Sequence, residues 1–121
     1  MTASEVIARA KEVRQTSAGY SQFLKWINTI EGRIQVEIMG RKLDEITTYT
    51  EQNDNTDLLI PMPYDEAYVL YLCAMIDFFN EEWDLYANDA EVFEKTFENY
   101  KAAYMKSVPG VAHQIHGWWG A

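Results

Sequence analysis

Along four separate stretches of this chain, apolar residues recur in steps of three and four. That spacing lines one face of an α-helix and fits no strand. Val6, Ile7, Ala10 and Val13 form the first stretch. Thr2-Ala3-Ser4-Glu5 precedes it as a capping box, which predicts a helix ending near Arg14, before a break over 16–19. Phe23, Ile27, Ile30, Ile34 and Ile38 predict a second helix, with Ser21 as its cap and Gly40 as its stop. Gly32 inside it costs about 1 kcal/mol relative to Ala, so packing must hold that helix together. A third helix follows Pro61-Met62-Pro63, with Pro63 near the first helical position and Asp65 and Glu66 in the first turn. Tyr68, Tyr71, Leu72, Met75 and Phe79 line one side of it, and Ala67, Leu70, Ala74 and Phe78 much of the rest. A helix apolar nearly all round is packed on more than one side, so this one is central. After Asn80-Glu81-Glu82 a fourth helix carries Leu85, Val92, Phe93, Phe97, Tyr100 and Tyr104, and ends near Ser107 ahead of Pro109-Gly110. The expected fold is an all-α bundle of about four helices in one domain, residues 1–107.

Two segments stand outside this pattern. Residues 41–60 hold a β-branched run, Ile46-Thr47-Thr48-Tyr49-Thr50, then the turn signal Asn53-Asp54-Asn55 and the short apolar run Leu58-Leu59-Ile60. The expectation here is a long, partly ordered, protruding loop between helices 2 and 3, with a small β-hairpin as a candidate within it. Residues 108–121 form an uncharged tail with three glycines and the pair Trp118-Trp119. Such a tail cannot build its own core, so it either folds back on the bundle or anchors something else.

Charge sharpens the picture. The net charge is −9, but residues 1–42 carry a balance of +3 and residues 43–107 one of −12. A duplex-binding groove needs clustered basic side chains to displace counterions, and this distribution argues against one. The single cysteine, Cys73, sits among apolar neighbours and reads as a buried thiol, which excludes an internal disulfide. The opening residues lack the pattern of a signal peptide, and no apolar run reaches the ~20 residues of a membrane span. An intracellular protein without membrane contact is expected.

Catalytic chemistry finds little purchase. His113 and His116 could share a metal, but no Cys or acidic ligand lies near them in the sequence. Neither a phosphate-binding glycine loop nor a nucleophile with a plausible histidine partner is present. Asp77 and Glu81, and Glu91, Glu94 and Glu98, have spacings that facing helices use to hold metal ions, as in all-helical nucleotide pyrophosphohydrolases. The last three fall between apolar positions and should face solvent. The expectation is a protein with no enzymatic activity, no cofactor and no metal.

One stretch is more specific than periodicity. Leu58-Leu59-Ile60-Pro61-Met62-Pro63-Tyr64-Asp65-Glu66-Ala67-Tyr68 runs into Tyr71-Leu72, Ala74-Met75-Ile76-Asp77 and Asn80-Glu81. Upstream stand Trp26-Ile27-Asn28 and Glu31-Gly32-Arg33-Ile34, and downstream Tyr86-Ala87-Asn88 and Phe93. In order and spacing, over roughly residues 3–107, these resemble the head–tail connector (adaptor) proteins of long-tailed phages and prophages of Gram-positive bacteria. The resemblance implies a helical subunit of a ring of about twelve copies, bound beneath the portal protein. The ring would extend the DNA channel without binding DNA specifically, and would dock a downstream head-completion or tail protein. It implies a virion protein of the head–tail interface, assembled in the bacterial cytoplasm.

Within that frame Arg33, Arg41 and Lys42 are expected to meet acidic partners. Ile46 and Tyr49 in the loop, and Trp118 and Trp119 in the tail, are the further candidate contacts, while acidic residues facing the lumen would repel phosphates. The rival from another class is an acidic DNA mimic that blocks a nucleic-acid-binding enzyme by presenting carboxylates in place of phosphates.

Overall fold

The structure, a computed structural model, describes residues 1–108. Among these residues the fold is all-α, with four α-helices and no strand. Helix α1 spans Ala3–Val13, α2 Tyr20–Arg33, α3 Glu66–Phe79 and α4 Trp83–Ser107. The capping box opens α1 as expected: Thr2 Oγ1 accepts from the Glu5 N–H at 3.2 Å, and Glu5 Oε1 from the Thr2 N–H at 2.9 Å. Helix α2 starts differently. Its N-cap is Gly19, with no side-chain cap, so Ser21 lies inside the first turn. Helix α3 starts at Glu66, later than the sequence suggests, because 61–65 form turns around a cis Met62–Pro63 bond.

At its far end α2 runs on as a π-helical turn, Ile34–Ile38, in which the Met39 N–H donates to the Ile34 carbonyl at 3.0 Å. The wider turn coincides with burial of Ile34, Gln35 and Ile38 together. Gly40, at φ +73, then ends the helical path in the left-handed region that glycine tolerates best.

Helix α3 is the centre, packed against α1, α2 and α4. Tyr68, Leu72 and Ile76 on α3 are fully buried, as are Ala3, Val6 and Ala10 of α1 and Phe23, Ile27 and Ile30 of α2. Each large side chain so placed contributes about 1.5–3 kcal/mol. The aromatic pairs Tyr71–Phe93 and Phe78–Tyr86, with Tyr64–Tyr100 just before α3, run in opposite directions along the chain, so α3 and α4 are antiparallel neighbours. Glu81 turns the chain between them with φ 59, a left-handed conformation unusual for a side-chain-bearing residue. On α4 the buried stripe is Phe93, Phe97 and Tyr100. Leu85 and Val92, which the sequence places on the apolar face, are exposed instead. Val92 is rotated about 100° from Phe93 and so leaves the stripe.

The loop departs most from expectation. Residues 41–60 contain a short 3₁₀ turn, Leu43–Glu45, and no hairpin. They do not protrude as a unit, because Tyr49, Leu58 and Ile60 are buried in the common core. The only β-type pairing among the described residues is the isolated bridge between Thr2 and Asp57. A hairpin fails for a physical reason: the N–H groups of Thr47, Tyr49 and Leu59 are taken by side chains of α2, which leaves no ladder to form.

Candidate interaction surfaces

Asn28, Glu31 and Gln35 are spaced three and four residues apart, so they form a polar edge beside the apolar stripe of α2. Each holds a different point of the loop. The Asn28 carboxamide accepts from the Tyr49 N–H at 2.7 Å and donates to the Tyr49 carbonyl at 3.0 Å. Gln35 Oε1 accepts from the Thr47 N–H at 2.9 Å and from the Arg41 guanidinium at 2.7 Å, while its Nε2 donates to the Thr47 carbonyl at 3.0 Å.

Glu31, fully buried between them, accepts from the Tyr49 hydroxyl and the Leu59 N–H, both at 3.1 Å, and from the Tyr68 hydroxyl. Tyr68 in turn accepts from the Ile60 N–H at 2.7 Å. Burial pushes the Glu31 carboxyl above its ordinary range, although all three hydrogen bonds oppose that shift. The phenols respond to burial and to the carboxylate: Tyr49 is raised to about 12 and Tyr68 further still.

This edge decides where several expected contact residues go. Tyr49 is buried with its hydroxyl on Glu31, and Arg41, although exposed, reaches back to Gln35, so both make contacts within the chain. Arg33 is likewise engaged, with Glu37 at 2.8 Å and Glu94 at 3.2 Å, and its guanidinium lies 4.6 Å from the centre of the Phe97 ring. Lys42 is exposed. Ile46 is half-buried and shares with Arg33, Val36 and the exposed Leu43 a shallow groove of about 250 Å³. Trp118 and Trp119 lie outside the described residues, as do His113 and His116.

Two apolar surfaces escaped the sequence reading. At the α3–α4 turn Phe78 meets Trp83 at 5.2 Å and Tyr86 at 5.3 Å, edge to face, while Phe79 packs on Trp26 at 6.1 Å. Phe78 is 52% exposed, Phe79 46% and Trp83 54%. The second surface is a groove of about 390 Å³ at the other end of α3 and α4, among Met39, Leu59, Met62, Tyr64, Tyr100 and Tyr104. Periodicity marks Phe78 and Phe79 as core; the local sign against that was their place in the last turn of α3, next to Asn80.

The acidic spacings resolve as well. Glu81, Glu91, Glu94 and Glu98 are exposed, and Asp77 is buried. Arg14 bridges Asp77 at 3.1 Å and Asp89 at 2.9 Å, filling with a guanidinium the place a cation would take. Burial and the facing Asp89 raise the Asp77 carboxyl to about 7, against the pull of Arg14. Among the described residues no group of three or more His, Cys, Asp and Glu is placed to hold a metal ion. Cys73 is buried, and burial raises its thiol to about 11, away from reactive thiolate chemistry. Among the described residues no helix is long and apolar enough to cross a membrane. No protein-family model, no curated protein and no solved structure matches this chain.

Proposed function

We propose that this chain is a structural subunit of a phage head–tail connector ring. It binds beneath the portal, extends the DNA channel and docks the next connector or tail protein, without catalysis. The observation that carries the reading is a pair of unlike apolar surfaces on one chain. The exposed aromatics Phe78, Phe79 and Trp83 form a cap at the α3–α4 turn, and the groove lined by Val36, Leu43 and Ile46, with Arg33 and Glu37 at its edge, forms a shallow socket. Phe79 touches Trp26, and Val36 lies ten residues further along the α2 path, so cap and socket are offset by roughly 15 Å along that path. Unlike surfaces that complement each other join copies head to tail, and such contacts close into a ring when the rotation permits.

The resemblance over roughly residues 3–107 supports the same role, as does the charge distribution. A segment with a balance of −12 suits a channel that DNA must pass without sticking. Lys42 is the cation of the expected set that remains for an acidic portal or neighbour contact, with Arg41 beside it.

Native mass spectrometry over a concentration series, alone and with a portal protein, tests the proposal. The expected result is a closed assembly of about twelve copies, lost in a Phe78→Ser/Trp83→Ser variant whose far-UV circular dichroism is unchanged. A chain that stays monomeric under every condition, and instead binds a basic nucleic-acid enzyme in a salt-sensitive way, would overturn it in favour of the DNA mimic.

A further inference from the structure

We infer that the groove beside the end of α4 is the seat of this chain's own uncharged segment 109–121, with the Trp118-Trp119 pair as its anchor. Three observations converge. The groove is walled by Met39, Leu59, Met62, Tyr64, Tyr100 and Tyr104, and Met62 is 82% exposed, an unusual state for a large apolar side chain beside other apolar groups. Ser107, the last residue of α4, also lines it, so the chain leaves the helix at the groove's rim. The segment beyond carries no charged side chain and two adjacent tryptophans, whereas 24% of the whole chain is charged. Soft methionines and tyrosine rings suit an indole, which offers a broad apolar face and one N–H donor.

The lengths agree. From Tyr100 to Ser107 the α4 wall of the groove is about 10 Å long. Nine residues separate Val108 from Trp118, and that run spans up to about 30 Å when extended. That length is enough for Trp118 to reach any part of the groove. A tether this short holds its own tryptophans at millimolar local concentration, above what a second copy supplies in dilute solution. This inference is independent of the ring proposal, because the cap and the socket lie on other parts of the surface.

The test uses the full chain labelled with ¹⁵N and with ¹³C at the methionine methyls. Four indole N–H signals are expected, from Trp26, Trp83, Trp118 and Trp119. In the native chain the two tail signals should lie away from the random-coil position and be unaffected by dilution. Met62→Glu, a charge placed in the groove from an exposed position, should return them to random coil while the Trp26 and Trp83 signals stay in place. In Trp118→Ser/Trp119→Ser, the methyl signals of Met39 and Met62 should move. Tail signals that sit at random coil in the native chain, or that ignore Met62→Glu, overturn the inference. Tail signals that move with protein concentration also overturn it, and give the groove to a second copy's tail.

Discussion

Replacing Glu31 by Ala tests the idea that one buried carboxylate organises the loop. In the native fold it accepts three hydrogen bonds, from Tyr49, Leu59 and Tyr68. Truncation leaves those donors facing a void. At about 1–3 kcal/mol for each unpaired buried donor, the gross loss is roughly 3–9 kcal/mol. Removing the carboxylate also removes its own desolvation penalty of a few kcal/mol, and Tyr49 can swing toward solvent, so the net loss should be about 2–4 kcal/mol. Glu31→Gln keeps the volume and one acceptor oxygen, so it should lose about half as much.

Urea unfolding followed by far-UV circular dichroism measures this. With a slope near 2 kcal/mol per molar, Glu31→Ala should move the midpoint down by about 1–2 M at unchanged slope. Hydrogen exchange supplies the local readout: amides of 47–60 should lose protection before those of α1. The sign of the pH effect follows from the raised Glu31 carboxyl. Its folded-state value lies above the unfolded one, so the native state holds the proton more tightly. Stability is then greatest below the unfolded value and declines as pH rises through the folded value. That share of the decline should vanish in Glu31→Gln. A Glu31→Ala variant within 0.5 kcal/mol (on the order of an ordinary surface change) of the native chain, with unchanged loop protection, would refute the reasoning.

Asp77 predicts a second slope of the same sign. It is raised from 3.8 to about 7, so the native state binds more protons between those values, and melting temperature should fall as pH rises across that window and level off above it. Asp77→Asn, which keeps an oxygen for Arg14, should flatten that part of a thermal-melt series from pH 4 to 8; an unchanged slope would place the titration elsewhere. At the α3–α4 turn, Glu81→Gly removes a side chain held at φ 59 and should stabilise the fold by about 0.5–1 kcal/mol in chemical denaturation, and a loss of stability would mean the Glu81 side chain makes a contact worth more than the strain.

Helix existence, order and polarity were legible in the sequence because each depends on local spacing. Val6, Ile7 and Ala10 fall on one face wherever α1 is placed, Thr2 and Glu5 cap it without help, and the all-round apolar character of α3 marks it as central. Helix boundaries held where the chain itself supplies a stop, as at Arg14, Gly40 and Ser107. The site was less legible. Asn28, Glu31 and Gln35 are unremarkable polar residues until the loop folds over them, since the partners of Glu31 lie 18, 28 and 37 residues away in the chain. Tyr49, expected to face a partner, is drawn inward by that edge, whereas Arg41 stays exposed while it donates to Gln35. Phe78 and Phe79 carry a core pattern yet stay exposed, because periodicity gives the direction of a side chain and not whether a neighbour covers it. Local spacing and capping chemistry thus determine the four helices, while only tertiary packing decides which polar groups are buried as clamps and which aromatics are left exposed.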